Sequence, residues 1–298
     1  MNTPPTRESL IEVLEAAKMQ TISIKKSLIA GIQSSIKEHK LPYKIENDLL
    51  MEVGESTEAC LNRFITQDEA MLRLKDNIRK LAKVDDEVLI IGPTGTGKEI
   101  LAHALHGDRS DRFIGINCAG LPDSLIESEL FGHVDGAFTG ANKIKIGLLK
   151  EVGKGTAFLD EVGELPVHVQ GKLLRALQEK VIRKVGSNKD EEINCKIVSA
   201  TNKPLRDMCE AKTFRLDLYA RLSTFELETT ALSNRTHDIP LIIKGLPYGS
   251  EFISAMEQRS LDKAGTKDYW IKFIDITLNV RSLQQHVKRY KVLNVLPL

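Results

Sequence analysis

The sequence predicts an α/β fold in which helices flank a parallel sheet, and three observations support this prediction. Short strand-like runs alternate with helical runs through the middle of the 298-residue chain, as in domains whose helices cover a sheet. The strand-like runs are apolar throughout rather than alternately apolar and polar, which is typical of strands buried on both faces. A glycine-rich loop joins the first of these runs to a helix, as in the strand–loop–helix units of such sheets.

Residues 1–65 are predicted to form a helical N-terminal region. Apolar residues recur at helical spacing over 10–14 and again over 28–36, and Pro42 interrupts the pattern that they form. Two interpretations remain open for this region. It is either a small helical appendage or a pair of helices that regulates or oligomerises the chain.

The second region is predicted to span residues 66–240 and to contain the sheet. It begins with Thr66-Gln67-Asp68-Glu69, which has the pattern of a capping box, with the hydroxyl of Thr66 at the cap and the carboxylate of Glu69 three residues later. The residues that follow place a stripe of apolar side chains on one helix face: Met71, Leu74, Ile78 and Leu81. This pattern predicts a helix at the start of the domain.

The remaining predicted elements follow from apolar runs and their spacing. Strands are predicted over 87–91, 113–117, 156–160 and 196–200, and helices over 99–106 and 167–179. After Pro240 the pattern becomes helical and less regular. We therefore expect a third region, small and α-helical, over residues 241–298.

Composition excludes several classes of protein. Lys and Arg total 42 against 41 Asp and Glu, so the formal net charge is +1, which argues against a strongly basic nucleic-acid binder or an acidic disordered chain. Aromatic residues make up only 5%, too few to favour a base-stacking surface. No apolar run approaches the ~18 residues of a membrane helix. The four cysteines form no C-x-x-C pair, so we expect reduced thiols and a cytoplasmic protein.

A phosphate-binding loop is predicted directly after the first strand. Gly92-Pro93-Thr94-Gly95-Thr96-Gly97-Lys98 fits G-x-x-x-x-G-K and opens a helix. The glycines let backbone N–H groups point at phosphate oxygens, and Lys98 supplies a full positive charge. The alternative is an ordinary glycine-rich turn. Glu99 follows Lys98 where a Ser or Thr that binds magnesium is usual.

Polar residues that end two further strands complete a candidate ATP site. Asp160 is expected to hold Mg²⁺, directly or through water, and Glu161 to act as the general base toward the attacking water. Asn202 follows the strand over 196–200 and could sense the γ-phosphate or orient that water. The alternatives are a solvated strand end for the two acids and a simple turn for Asn202.

A longer resemblance surrounds these residues. Gly136-Ala137-Phe138-Thr139-Gly140-Ala141 resembles the GAFTGA loop of the AAA+ activators of sigma-54 RNA polymerase, the bacterial enhancer-binding proteins. Glu99 resembles the GKE ending of that family's phosphate loop. Further similar strings stand in order at 117–119, 158–166, 172–179, 200–202, 214–222 and 238–241. The resemblance implies an AAA+ P-loop NTPase core with ATP and Mg²⁺ between the subunits of a ring, usually a hexamer.

The resemblance also implies roles for individual residues. Arg215 and Arg221 resemble arginine fingers that reach a neighbouring subunit's ATP, although either could instead pair with a surface acid such as Asp217. Asn117 resembles the residue that holds Glu161 idle until the γ-phosphate is sensed. The GAFTGA loop implies sigma-54, within the RNA polymerase holoenzyme, as partner. The local alternative is that Phe138 folds back and packs against its own domain.

The C-terminal region matches the family less well. Arg281 resembles sensor II, the lid arginine that contacts nucleotide, but Leu278 stands at a glycine position that serves a tight turn, and Ser282 replaces an acid. The arginine-rich linker is reduced to Ala231-Leu232-Ser233-Asn234-Arg235. Only 17 residues follow Arg281, so we expect no C-terminal helix-turn-helix domain and at most indirect or weak DNA contact. It also stays open whether the chain is truncated relative to a longer gene product.

Two functions are compatible with these patterns. The first is an ATP-hydrolysing activator that remodels the closed promoter complex of sigma-54 RNA polymerase through the GAFTGA loop. The second is a hydrolysis-impaired module with a degenerate lid, which binds sigma-54 or co-assembles with an intact relative.

Overall fold

The computed structural model describes residues 56–109, 111–138, 141, 143–259, 274, 276–293 and 296–297. The chain divides into two compact units, 1–56 and 57–298, and all the described helices and strands belong to the second. The helices predicted within residues 1–55 therefore lie outside the described residues. Among the helices that the structure describes, none is both long enough and apolar enough to cross a membrane.

Helices and strands alternate along most of the described chain. The first half contains α1 (Thr57–Arg63), α2 (Glu69–Leu81), β1 (Val88–Ile91), α3 (Lys98–His106), β2 (Phe113–Asn117), α4 (Asp123–Phe131), β3 (Gly132–His133), β4 (Lys145–Ile146), α5 (Leu148–Glu151) and β5 (Thr156–Asp160). The second half contains α6 (Val167–Glu179), β6 (Val181–Arg183), β7 (Asp190–Glu192), β8 (Lys196–Thr201), α7 (Leu205–Glu210), α8 (Leu216–Leu222), β9 (Phe225–Glu228), α9 (Ile239–Gly245), α10 (Gly249–Arg259) and α11 (Val280–Leu293).

A five-stranded sheet with the order β2-β5-β8-β1-β9 forms the centre of the domain. Every neighbouring pair in it is parallel, which confirms the predicted α/β fold. The edge strand β9 is absent from the prediction because it is short and only Leu227 in it is buried. In a parallel sheet the carboxyl ends of all strands meet at one edge, and this edge carries the candidate site.

The two faces of the sheet are covered by separate apolar clusters. Leu89 of β1 packs with α4, α6 and α8 on one face, whereas its neighbours Val88 and Ile90 pack with α1, α2 and α3 on the other. Side chains that alternate along a strand point to opposite faces. Burial on both faces explains why the strands are apolar throughout, as the sequence predicts.

The start of α2 differs from its prediction. The helix begins at Glu69, and its cap is Asp68, whose Oδ1 accepts a hydrogen bond from Met71 N at 3.1 Å. The capping box with Thr66 as the cap is therefore wrong. The Thr66 hydroxyl instead donates to Asp238 Oδ2 at 2.6 Å, a contact 172 residues away that the local pattern does not reveal.

Helix α1 belongs to the same compact unit as the sheet. Cys60, Leu61 and Phe64 are buried in the cluster that also contains Leu101 and Leu105 of α3. The compact unit thus starts at Thr57, some residues before the predicted boundary at 65/66. The division of the chain into three regions stays a prediction.

The C-terminal helices form a small core of their own. Ile239, Ile243, Phe252, Leu283 and Val287 of α9, α10 and α11 pack in one cluster. They constitute a helical lid on the carboxyl-terminal side of the sheet domain, consistent with the predicted α-helical region.

A buried ion pair lies where the linker meets the lid. Arg235 Nη1 lies 3.1 Å from Asp238 Oδ2, and the two side chains are 1% and 0% exposed. Arg235 Nε also donates to Thr230 O at 3.1 Å, and Asp238 Oδ1 accepts from Gln67 N at 2.7 Å. Buried ions are tolerated when opposite charge and hydrogen bonds compensate them, although Arg235 Nη2 has no hydrogen-bond partner among the described residues. The one arginine retained in the reduced linker therefore pairs with Asp238, and Asp238 joins the lid to the start of the domain.

Two buried histidines predict a loss of stability at mildly acidic pH. His103 stacks on Phe113 with ring centroids 3.7 Å apart, and His106 Nδ1 lies 2.9 Å from Thr156 Oγ1. Burial lowers the pKa of His103 to about 3 and that of His106 to about 4. Below about pH 6.5 the unfolded chain therefore binds protons that the folded chain does not, so stability is full above pH 6.5 and falls with pH.

We expect the free energy of unfolding to decrease by about 1.4 kcal/mol per histidine between pH 7.5 and pH 5.5. Urea unfolding at the two pH values measures this difference. A His106→Gln variant, which removes one of the two titrating groups, is expected to lose about half of the pH dependence. Equal unfolding free energies at both pH values in the unsubstituted protein would show that these imidazoles do not titrate as described.

Candidate active site

The predicted phosphate loop connects β1 to α3 in the structure. Its last glycine, Gly97, is the N-cap of α3 with φ 101°, ψ 20°, a left-handed conformation that glycine adopts without a steric penalty. The first turn of α3 consequently faces the loop with its N–H groups, and helix N-termini of this kind attract anions. The local structure therefore suits phosphate groups, as the motif predicts.

Lys98 reaches back over this loop. Its Nζ donates to Gly92 O at 2.9 Å and lies 3.3 Å from Pro93 O, and the residue is 7% exposed. Burial lowers the pKa of Lys98, and the carboxylates of Glu161 and Asp160 oppose that shift. A partly desolvated cation held between loop carbonyls and two acids can exchange these contacts for phosphate oxygens.

The loop threonines contact protein groups through their side chains. Thr96 Oγ1 donates to Pro93 O at 2.8 Å and lies 2.7 Å from Thr229 Oγ1, so this hydroxyl braces the loop. Thr94 Oγ1 instead accepts a hydrogen bond from Asn202 Nδ2 at 2.9 Å. Backbone groups of the loop are therefore the part most available to a phosphate.

Asp160 and Glu161 stand at the carboxyl end of β5, as predicted. Burial raises the pKa of Asp160, and the positive charge of Lys98 opposes that shift. Glu161 adopts φ 52°, ψ 46°, a left-handed conformation that costs a non-glycine residue about 1–2 kcal/mol. Such strain is found where the surrounding structure fixes a functional side chain. Glu161 N donates to Asp160 Oδ1 at 3.0 Å, which couples the orientations of the two acids.

Asn202 joins the acids to the phosphate loop. Its backbone N donates to Glu161 Oε2 at 3.3 Å, and its side-chain Nδ2 reaches Thr94 in the loop. The structure therefore brings Asn202, Glu161 and the loop together, as the common edge of a parallel sheet requires.

Asn117 lies beside these residues but contacts a different partner. It pairs in register with Asp160 across β2 and β5, and its Oδ1 accepts from Ala119 N at 2.8 Å. Over the described residues there is no hydrogen bond between Asn117 and Glu161. The interaction by which Asn117 would hold Glu161 idle is therefore not formed in this conformation. The role of Asn117 stays a prediction.

The lid touches the phosphate loop through the turn that precedes α11. Asn279 Nδ2 donates to Thr94 O at 2.9 Å, and Asn279 Oδ1 accepts from Leu232 N at 2.6 Å. Val280 N donates to Gly95 O at 3.1 Å. The sequence places Asn279 before a helix, where Asn is a favoured cap, but it gives no signal for these contacts.

The departures of the lid from the family pattern have a physical explanation in this turn. Asn279, with φ 53°, takes the left-handed position of the turn, so Leu278 does not need to be glycine. Ser282 Oγ accepts from Leu278 N at 3.0 Å, which completes the start of α11. Arg281 is exposed. Like burial, the positive charge of Arg281 lowers the pKa of Lys98. This charge therefore lies near the site.

The two candidate finger arginines lie at opposite ends of α8, Arg215 at its N-cap and Arg221 in its last turn, and have different partners. Arg215 forms a two-point ion pair with Asp217, at 3.0 and 2.7 Å, which is the surface pairing that the sequence left open. Arg221 Nη2 lies 3.6 Å from Glu87 Oε1. Glu87 lies at the amino end of β1, and the phosphate loop follows the carboxyl end of the same strand. Arg221 therefore lies one strand length, roughly 13 Å, from the phosphate loop of its own subunit.

The GAFTGA segment lies in the loop that connects the paired strands β3 and β4. Gly136 N donates to Ala141 O at 2.8 Å and Ala141 N to Phe138 O at 3.0 Å, which closes the base of the loop. The ring of Phe138 packs edge-on against His133, with centroids 5.0 Å apart, so the local packing of Phe138 does occur. Thr139 and Gly140 lie outside the described residues.

A second loop supports this base. Val134 N donates to Val185 O at 3.1 Å, and Val185 N donates to Gly132 O at 2.9 Å. A Cβ atom added at Gly186 would lie 2.9 Å from Ala137 Cβ, so the two segments are in close contact. The segment around Val185 and Gly186 thus packs against the base of the GAFTGA loop.

Together, the parallel sheet, the loop over Lys98 and the lid on that loop define a P-loop nucleotide-binding domain of the AAA+ class. The chain belongs to the Sigma-54 interaction domain family, which matches residues 64–228.

Curated relatives agree with this family. The chain is 46% identical over 208 residues to the transcriptional regulatory protein GlrR of Escherichia coli K12, a match that covers 68% of this chain and 47% of GlrR. It is 37% identical over 269 residues to the formate hydrogenlyase transcriptional activator of Salmonella typhimurium LT2, covering 87% of this chain and 38% of that protein. The chain therefore spans about half or less of the length of these relatives.

Solved structures show the same fold. NtrX from Brucella abortus in complex with ATP has a TM-score of 0.65 and 27% identity, covering 90% of this chain and 56% of NtrX. Hsp104 of S. cerevisiae in complex with ADP has a TM-score of 0.52 at 19% identity, covering 88% of this chain and 50% of Hsp104, and shows the fold alone.

Proposed function

We propose that this chain hydrolyses ATP at the interfaces of a homo-oligomeric ring, most simply a hexamer, and uses that energy to activate sigma-54 RNA polymerase. The observation that carries the proposal is the convergence of Lys98, Asp160, Glu161 and Asn202 at one sheet edge, in a domain that also bears the complete GAFTGA string. The first group provides the chemistry for hydrolysis, and the string provides the contact with the partner.

ATP binding rests on the loop from Gly92 to Glu99. Its backbone N–H groups and the Lys98 ammonium bind the phosphates, and the lid contributes Arg281 from the other side. The left-handed conformation at Gly97 and the partly desolvated Lys98 fit an anionic ligand. The contacts from Asn279 and Val280 to the loop couple the lid to nucleotide binding.

Asp160 is the residue that would hold Mg²⁺ together with phosphate oxygens. Among the described residues, no group of three or more His, Cys, Asp or Glu side chains could hold a metal ion by itself. A single carboxylate that shares the ion with a nucleotide is the arrangement magnesium commonly adopts. When bound, the ion neutralises charge on the phosphates.

Glu161 acts on the water. Its carboxylate accepts a proton from the water as the water oxygen bonds to the γ-phosphorus, while the bond to the bridging oxygen breaks and ADP leaves with the electron pair. The hydrogen bond from Asn202 N orients this carboxylate. Asn202 also senses the loop through Thr94.

Arg221 and Arg215 complete the site of a neighbouring subunit. The position of Arg221 at the far end of β1 from its own loop supports action on another subunit. To reach a neighbouring site, Arg215 would have to break its ion pair with Asp217. That ion pair is exposed, and exposed ion pairs contribute little stability.

The output passes through residues 136–141 to sigma-54 in the RNA polymerase holoenzyme. An apolar ring at a loop is favourable when a partner covers it, and Phe138 leaves His133 for the partner in this proposal. We place the protein in the cytoplasm. The relatives GlrR and the formate hydrogenlyase transcriptional activator are named as transcriptional regulators.

A hydrolysis-impaired regulatory module is the second candidate. It depends on a degenerate lid, and the contacts of Asn279 and Val280 with the phosphate loop argue against that. ATP turnover measured against protein concentration separates the two functions. Turnover that rises cooperatively as rings form supports the activator, whereas no turnover at any concentration supports the module.

Replacing Thr139 with Ala tests the sigma-54 assignment. We expect ATP turnover to persist while open-complex formation at a sigma-54 promoter falls at least about tenfold, because the loop loses a partner contact and the ATP site is untouched. Thr139→Ser, which keeps the hydroxyl, is the matched control and is expected to retain activation. Capture of sigma-54 with ADP and aluminium fluoride gives a second readout. Normal activation and capture by Thr139→Ala would refute the assignment.

A further inference from the structure

A buried carboxylate lies at the amino end of β1, away from the phosphate loop. Glu87 is 3% exposed and stands immediately before β1. Its Oε1 accepts a hydrogen bond from Lys180 Nζ at 2.9 Å and lies 3.6 Å from Arg221 Nη2. A buried carboxylate is strongly unfavourable unless cations or hydrogen bonds compensate it. Two cations therefore converge on one acid that none of the sequence motifs contains.

The two cations differ in how well they are satisfied. Lys180 has a short, direct hydrogen bond to the carboxylate. Arg221 has only the longer ion pair and a 3.4 Å hydrogen bond from Nη2 to Leu177 O, and within the described residues its Nε is buried without a hydrogen-bond partner. Its own subunit thus compensates the Arg221 guanidinium only in part.

The placement of Arg221 is directional. Its Nη2 contacts Glu87 and the carbonyl of Leu177 at the end of α6, while 41% of the side chain is exposed. One edge of the guanidinium is thus anchored to the protein and part of the side chain faces solvent. A long side chain that is anchored in advance loses less rotamer freedom when it later binds a phosphate.

We infer that Glu87 is a positioning residue, which orients Arg221 so that its exposed edge meets the nucleotide of the neighbouring subunit. This inference rests on the proposed function, in which Arg221 acts between subunits. Arg215, the other candidate finger, depends on the exposed Asp217 and has no such buried anchor.

Glu87→Gln tests this role, because glutamine matches the size of glutamate and removes its charge. At saturating ATP and saturating protein we expect kcat to fall about tenfold or more while the affinity of each subunit for ATP stays unchanged, as for an interaction made only in the transition state. Unchanged kcat would overturn the inference. Lys180→Gln, which removes the other cation, is the matched control and is expected to keep its turnover.

The Glu87→Gln/Lys180→Gln double variant excludes a purely structural explanation. If turnover fell only because Lys180 had lost its partner, removing both charges would restore kcat. We expect the double variant to stay as slow as Glu87→Gln. Recovery of turnover in the double variant would overturn the inference.

Mixed rings supply the decisive measurement. In a ring of Glu87→Gln and Lys98→Ala subunits in equal amounts, about a quarter of the interfaces join an intact phosphate loop to an intact Arg221–Glu87 pair. We expect turnover to recover above that of either variant alone. A mixture of Arg221→Ala and Lys98→Ala is the reference for action between subunits.

The two mixtures separate the inference from the function on which it rests. If the reference mixture recovers turnover and the Glu87→Gln mixture does not, Glu87 affects the ATP site of its own subunit and not that of the neighbour. The inference alone is then overturned. If the reference mixture fails, or Arg221→Ala alone keeps full turnover, the proposed role of Arg221 between subunits fails, and the inference fails with it.

Discussion

Replacing Lys98 with Ala abolishes nucleotide binding, which we expect as a decrease in ATP affinity of about 100-fold or more. Lys98 is the cation in the loop, and the charge-assisted contacts of a lysine with phosphates are among the stronger polar interactions in a protein. Its removal also takes away the positive charge that acts most strongly on Asp160, so the acids would face the phosphates with less compensation.

Calorimetric titration with ATP and magnesium measures this effect. The matched control is Lys203→Ala, which removes a lysine from the segment after β8, where it pairs with Glu164 at 2.7 Å. Its ATP affinity is expected to equal that of the unsubstituted protein. ATP binding by Lys98→Ala within about threefold of the control would mean that the loop does not bind phosphate through this residue.

The edge of the sheet that carries these residues could be predicted from local patterns. β5 and β8 are apolar runs that lead directly into polar residues, β1 leads into the glycine-rich loop, and the parallel arrangement follows from the alternation with helices. Once the strands are parallel, Lys98, Asp160, Glu161 and Asn202 must lie near one another. The structure confirms the sheet, and the hydrogen bonds of Asn202 to Glu161 and Thr94 follow from it.

Contacts between distant parts of the chain could not be predicted in the same way. Thr66 has the right spacing for a helix cap, yet it binds Asp238, because tertiary contacts outweigh a cap that Asp68 can supply as well. Glu87 reads as an ordinary charged residue before a strand, although it is buried with two cations from α8 and from the end of α6. Neither fact has a signal in the local sequence.

The lid illustrates how a departure from a pattern can be compensated locally. A leucine at a glycine position suggests a damaged turn if that position needs a left-handed backbone. In the structure the following residue, Asn279, takes that conformation, and asparagine tolerates it better than most residues. The same side chain then binds the phosphate loop and the linker. The turn of this chain therefore does not need glycine at position 278, and it contacts both the loop and the linker.

Glu161→Gln is expected to separate binding from hydrolysis. The amide has the size of the carboxylate and can still accept the hydrogen bond from Asn202 N, so the acid edge and the phosphate loop keep their arrangement. It cannot take a proton from water, and loss of a general base lowers turnover by about 10²–10⁴-fold. We therefore expect ATP affinity to stay within about threefold of the unsubstituted protein while phosphate release at saturating ATP falls at least about 100-fold.

The control for this substitution lies three residues further along the chain. Glu164→Gln makes the same chemical change at an exposed carboxylate that pairs with Lys203, and its turnover is expected to be unchanged. Steady-state phosphate release and ATP titration on both variants distinguish the outcomes. If Glu161→Gln hydrolysed ATP at the rate of Glu164→Gln, the base would be another group, and the strained backbone of Glu161 would need a different explanation. If Glu161→Gln instead lost ATP binding together with turnover, the carboxylate would contribute to holding the nucleotide rather than to activating water.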